Sequence, residues 1–244
     1  MKKLNNSPAI SLKTTKNLLA VLVDPDKFSC DFIQEFLKEI PKETTHLFVG
    51  GSTVPRGKTD ETVKILKKNT SLPIVLFPGD YSQISSAADA VLFLNLISGR
   101  NPEYLIEQQL KSIPKIQNSG LEIISTGYIL IDGGNRSSVE RVTQTKPISQ
   151  ENVTKIVHTA LAGQYMGAKI IYLEAGSGAK YPVYPEIIRK VKQVIEIPLI
   201  VGGGIRSEFQ KSEAYRAGAD MVVMGTVFEK EHFYEIDKNN IQKE

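Results

Sequence analysis

The sequence has no tryptophan, one cysteine (Cys30) and three widely spaced histidines, His46, His158 and His232, in 244 residues. A lone cysteine excludes an intramolecular disulfide, and histidines so far apart exclude the sequence-local zinc motifs. Cys30 carries no sign of thiolate activation and is read as an ordinary thiol. An excess of one charge is also missing: 30 basic and 27 acidic side chains leave a net charge of +3. That balance lacks the clustered basic face that nucleic acid requires, but it suits an anionic small molecule. No apolar run approaches the ~20 residues of a membrane span, and the N-terminal MKKLNNSPAISLK lacks the apolar core of a secretory signal. The expectation is a cytoplasmic protein, and an apolar fraction of 41% is enough for a sizeable core.

What the chain does have is a rhythm. Eight short apolar runs, at 18–24, 46–51, 73–79, 90–95, 121–131, 169–176, 198–204 and 221–226, read as parallel strands covered on both faces. Amphipathic segments at 31–40, 60–69, 101–113, 149–167, 185–195 and 207–218 read as the helices between them. Ser149 precedes Asn152 at one helix start, Pro185 suits a first turn, and Gly167 and Gly218 suit positions just past helix ends. The link 80–89 is too short for a normal helix, so a single turn or irregular segment is expected there. Eight βα repeats without a break in composition predict one closed (β/α)₈ TIM barrel over 1–244, with 1–17 as a lead-in. An open doubly wound sheet would put its glycine-rich loop after an early strand. Here VGGGI (201–205) follows the seventh strand and Gly225-Thr226 ends the eighth, where barrels frequently hold phosphate.

In a barrel, chemistry is built at the carboxyl ends of the strands. Glu174 lies in phase with Ile170 and Tyr172, so all three should point to one side. It is either a paired structural carboxylate or a general base tuned by burial. Asp24, in VDPDK, is either the cap of its own turn or a magnesium ligand; Asp26, beyond the strand, suits the metal less well. The glycines of GSG (176–178), GGG (202–204) and Gly225-Thr226 together offer backbone N–H donors on one rim, a phosphate cradle. Arg100 and Lys180 are nearby loop cations that could meet phosphate, although an isolated loop cation is more often solvated.

Taken together, VDPDK, VGGS, YLEAGSG, VGGGI and VMGT resemble, in order and spacing from about residue 18 to 230, the geranylgeranylglyceryl phosphate synthase family, which includes the bacterial PcrB-like heptaprenylglyceryl phosphate synthases. The resemblance implies a prenyltransferase that joins sn-glycerol 1-phosphate to a long polyprenyl diphosphate through an ether bond. It implies Asp24 and Ser52 as the Mg2+-binding pair. It also implies Tyr172, Leu173, Glu174, Ala175, Gly176, Ser177 and Gly178 as the glycerol phosphate segment, with Glu174 as base. Gly203, Gly204, Gly225 and Thr226 complete the cradle. PcrB-like members carry a lysine two positions before the aspartate, where this chain has Leu22, and the extended GYILIDGGNRSS (127–138) is similar to the second of the family's two main groups. A homo-oligomer is implied, as is contact with a membrane surface through lipid substrate or product, with a prenyl groove near Tyr128 and the fourth-strand loop. A sugar-phosphate isomerase or lyase, and a non-catalytic phosphate-binding barrel, fit the same cradle.

Overall fold

The computed structural model of the protein describes residues 17–225. Eight parallel strands, β1 (Leu18–Val23), β2 (His46–Val49), β3 (Ile74–Leu76), β4 (Ala90–Leu96), β5 (Glu122–Leu130), β6 (Ile170–Glu174), β7 (Leu199–Gly202) and β8 (Met221–Met224), pair in sequence order, and β8 pairs with β1 to close the barrel. The expected fold class is therefore observed. Period-2 alternation divides the side chains. Ile170, Tyr172, Ile200 and Met221 fill the barrel interior, whereas Ile171, Leu173, Val201 and Val222 face the helices.

The outer layer holds α1 (Ile33–Glu39), α2 (Lys58–Asn69), α3 (Gln108–Ile116), α4 (Ser138–Thr143), α5 (Val153–Tyr165), α6 (Pro185–Val194) and α7 (Glu208–Ala217). Capping follows the sequence signals. The Asn152 side chain accepts from the Lys155 N–H, Ser207 accepts from Gln210, Pro185 opens α6, and Gly218 (φ +114) closes α7.

The barrel departs from a regular repeat in three places. No helix follows β3: residues 77–89 form turns, as expected for so short a link. The helix expected at 101–113 begins as a π-helical turn, Glu103–Glu107, and continues as α3 to Ile116. The short α4, capped by Ser137, was not predicted, because SVERVT has no apolar periodicity to announce it. Among the described residues no helix is long and apolar enough to cross a membrane. Residues 1–16 of the expected lead-in and Thr226 lie outside the described residues.

Candidate active site

A cavity of about 780 Å³ opens at the carboxyl ends of the strands. Asp24, Ser52, Tyr172, Glu174, Ser177, Gly203, Gly204 and Gly225 all line it, so residues spread over 200 positions of sequence converge. Leu173 and Ala175 do not. Both are packed in the layer between sheet and helices, so only their backbone serves the segment. Gly176 and Gly178 adopt positive φ (98° and 72°) and turn the chain back over the rim.

Glu174 ends β6 with its side chain inward, only 6% exposed, between Leu130 on β5 and Gly202 on β7. Its Oε1 accepts the Gly176 N–H at 2.7 Å. Burial pushes the carboxyl up to about 7, against the opposing pull of that N–H and of the nearby Tyr172 hydroxyl. The hydroxyl acts from close by, although no hydrogen bond of good geometry joins it to a partner among the described residues.

The glycine run has a second cause that sequence did not disclose. A side chain on Gly202 would collide with the Tyr172 hydroxyl and Glu174 Oε2. One on Gly203 (φ +81) would meet Glu174 Oε1 and the amide nitrogens of Ala175 and Gly176. Two of the three glycines thus make room for the carboxylate itself. The amides of Gly203 and Gly204 carry no hydrogen bond among the described residues, which leaves them for a ligand.

Asp24 fulfils the first of its two readings, the cap of its own turn. Its Oδ1 accepts the Asp26 N–H at 3.1 Å, so it caps its own turn, and Oδ2 lies 3.7 Å from Lys27 Nζ. It also lines the cavity, and Gly51 lacks the Cβ that would strike its carboxylate. Gln83 fixes this side of the rim. Nearly fully buried, it accepts the N–H groups of Gly51 (3.3 Å) and Gly79 (3.1 Å) and donates to the Gly51 carbonyl (2.8 Å). Among the described residues no group of three His, Cys, Asp or Glu side chains is placed to hold a metal. One carboxylate, a hydroxyl and an open cavity are nevertheless donors suited to magnesium, which retains waters and takes phosphate oxygens.

Neither of the two loop cations lines the cavity. Arg100 lines a different groove, with its guanidinium on the Gly99 carbonyl, and Lys180 does not reach the cavity. Their places are taken by Arg206, which donates to the Ala179 carbonyl at 2.8 Å, and by Lys27 and Arg141. Nothing in the sequence distinguished these three from other surface cations. Tyr128 is inside the barrel, edge-on to Phe77 and Tyr172, and Phe77 stacks on Tyr172 with ring centres 5.2 Å apart. From this aromatic floor the cavity continues across the rim to Ile84, Val91, Phe93 and Ile116, on the side where no helix follows β3.

The fold and site define an α/β-barrel protein with a glycine-rich rim, a buried carboxylate and an apolar extension. The chain belongs to the PcrB family, whose profile matches residues 12–243. It is 54% identical over 221 residues, 91% of this chain and 94% of the other, to the geranylgeranylglyceryl phosphate synthase of Zunongwangia profunda. Against the enzyme of the same name from Flavobacterium johnsoniae it is 51% identical over 225 residues, 91% of this chain and 93% of the other. The crystal structure of (S)-3-O-geranylgeranylglyceryl phosphate synthase from Thermoplasma acidophilum, in complex with its substrate sn-glycerol-1-phosphate, superposes with a TM-score of 0.81. It is 35% identical, and the match covers 90% of this chain and 88% of that one.

Proposed function

We propose that the protein is a prenyltransferase that forms an ether bond between sn-glycerol 1-phosphate and a long-chain polyprenyl diphosphate, the geranylgeranylglyceryl phosphate synthase reaction. The observation that carries this reading is one continuous cavity with a carboxylate raised to about 7 beside glycine amides that make no hydrogen bond among the described residues at one end, and an apolar groove at the other. A sugar-phosphate isomerase or lyase has no use for that groove. The names and substrate of the relatives support the same reaction.

In this reading the amides of Gly203 and Gly204, with Gly225, Ser177 and Arg206, hold the glycerol phosphate, and Thr226 completes the cradle. The Tyr172 hydroxyl, buried without a partner of good geometry among the described residues, is left for a glycerol oxygen. Glu174 accepts the proton of the attacking hydroxyl as its oxygen bonds to C1 of the prenyl chain, and the C1–O bond to diphosphate breaks with its electron pair leaving on diphosphate. Positive charge developing on the allylic carbon would meet the Phe77, Tyr128 and Tyr172 rings. Asp24 and Ser52 would hold Mg2+, which when bound offsets the charge of the departing diphosphate. Most of the acceleration then comes from positioning and fixed dipoles. A homo-oligomer, and contact with a membrane that holds the lipid reactants, complete this reading.

The test is incubation with labelled sn-glycerol 1-phosphate, polyprenyl diphosphates and magnesium. An ether-linked, phosphatase-sensitive product is expected, and no such product with any chain from geranylgeranyl to heptaprenyl overturns the proposal.

A further inference from the structure

The chain that returns from α4 runs beside the end of β5, where Ile148 pairs with Ile131, and enters α5 after Asn152. Gln150 lies in that stretch and is only 7% exposed. Its Nε2 donates to the carbonyls of Asp132 (2.9 Å) and Pro182 (3.1 Å), and its Oε1 accepts the Tyr184 N–H at 2.8 Å. All three partners are backbone groups, one from the loop after β5 and two from the loop after β6. The carbonyls can only accept and the N–H can only donate, so an apolar side chain of this size would satisfy none of them and a carboxylate only the N–H.

Those two loops and the loop after β7 are stacked against one another at the glycine-rich end of the cavity. Gly133 lies so close to the loop after β6 that a Cβ would strike the Ala175 carbonyl and Ala179. Its own carbonyl accepts the N–H groups of Lys180 (2.8 Å) and Tyr181 (3.1 Å), and the Asn135 side chain donates to the Gly178 carbonyl at 3.2 Å. One layer further, a Cβ on Gly204 would meet the backbone of Tyr181 and Pro182, and Arg206 donates to the Ala179 carbonyl. Ser177, Gly204 and Arg206 line the cavity from this stack, whereas Gln150 does not line it and instead pins the outer end.

We infer that Gln150 is a positioning residue for glycerol phosphate: by locking the loop after β5 to the loop after β6 it sets where Ser177, Gly204 and Arg206 meet the phosphate. The identity of that ligand rests on the proposed reaction. Without Gln150, three backbone groups would be left unpaired away from water, which is costly enough that the loops move outward to solvate them. The effect is confined to one substrate, because the loops after β2 and β3 that carry the proposed diphosphate end are tied separately by Gln83.

Calorimetric titration with sn-glycerol 1-phosphate and steady-state kinetics of the full chain test this with Gln150→Leu and the isosteric Gln150→Glu, beside Gln164→Leu as a control. Gln164 Oε1 accepts the N–H groups of Glu196 (2.7 Å) and Ile197 (3.3 Å) at the amino end of β7, so its loss costs stability far from the cavity. In both Gln150 variants Kd and KM for glycerol phosphate should rise roughly tenfold, within the ~10²-fold that a displacement of about 1 Å can cost. KM for the prenyl diphosphate should be unchanged, and Gln164→Leu should move neither KM. Asn135→Ala, which breaks an exposed bond of the same stack, should raise KM for glycerol phosphate by about twofold to threefold. Wild-type affinity for glycerol phosphate in the Gln150 variants, or an equal rise in both KM values, overturns the inference; if neither variant folds, wild-type affinity in Asn135→Ala overturns it. Because affinity is read without turnover, a wild type that binds glycerol phosphate yet forms no ether overturns the reaction, while weakened binding by the Gln150 variants still upholds their positioning role.

Discussion

On the β6 and β7 side of the rim the wall of the cavity is closely packed: the Glu174 carboxylate occupies the room that Gly202 and Gly203 leave, and Oε1 is held by the Gly176 N–H. On the β3 side no helix follows the strand, and one buried amide, Gln83, ties the loops after β2 and β3. The first side follows the βα repeat and presents fixed dipoles at the bottom of a cavity. The second breaks the repeat, and the cavity escapes through the break over Val91, Phe93 and Ile116. Rigidity and room are thus separated: the closed side suits a small polar substrate whose hydroxyl must be aimed, and the open side a long chain that needs only an apolar wall.

The sharpest way to break this comparison is to neutralise the closed side. Glu174→Gln preserves shape and is expected to lower kcat by roughly 10²-fold or more, the scale of a lost general base. In the wild type, kcat/KM should fall as pH drops through about 7, where the buried carboxyl takes up its proton, and the variant should lack that limb. A variant that turns over at the wild-type rate would remove Glu174 from the chemistry. On the open side, Asp24→Asn should raise the magnesium concentration for half-maximal rate by the tenfold or so that even outer-shell changes cause. An unchanged magnesium titration would take Asp24 out of the metal site.

The closed side should also carry a stability cost. The folded Glu174 carboxyl titrates near 7, against 4.5 ordinarily, so the folded chain keeps a proton that the unfolded chain releases between those values. Stability is therefore full below about pH 4.5 and is lost as pH rises through 7. Glu174→Gln removes the buried charge and should stabilise the protein at pH 8 by about 1–3 kcal/mol, several degrees in Tm. Equal melting temperatures for wild type and variant would mean that the carboxylate sits there at no cost.

The same contrast explains what could be read without a structure. All eight strands were legible because buried parallel strands are written as apolar runs, and the gap after β3 was legible from the brevity of 80–89. Glu174 and Asp24 stood out as carboxylates at strand ends, and period 2 correctly turned Glu174 inward beside Tyr172. The steric reason for Gly202 and Gly203 was hidden, since it depends on the β6–β7 register that sets Glu174 opposite Gly202. Gln83 was hidden for a related reason: its partners, Gly51 and Gly79, are brought to it by two loops, and nothing local marks it. Arg206 stands at the rim in place of Arg100 and Lys180 because a loop cation's direction is settled by the turn that carries it, and Arg141 rides on α4, which no periodicity announced.

The smallest expected effect belongs to that hidden glutamine, and it probes the open side most directly. Gln83→Leu keeps the volume but strands the Gly51 and Gly79 N–H groups and the Gly51 carbonyl, each worth about 1–3 kcal/mol when buried unpaired. Some of that is recovered as the loops relax toward water, so a net loss of about 2 kcal/mol is expected in urea unfolding. Gly51 precedes Ser52 and packs on Asp24, so the relaxed loop should loosen the diphosphate end alone. KM for the prenyl diphosphate should then rise roughly threefold to tenfold, with KM for glycerol phosphate and the pH profile of kcat/KM unchanged. If KM for glycerol phosphate rose equally, the two sides of the rim would be one mechanical unit, and the separation of rigidity from room would fail.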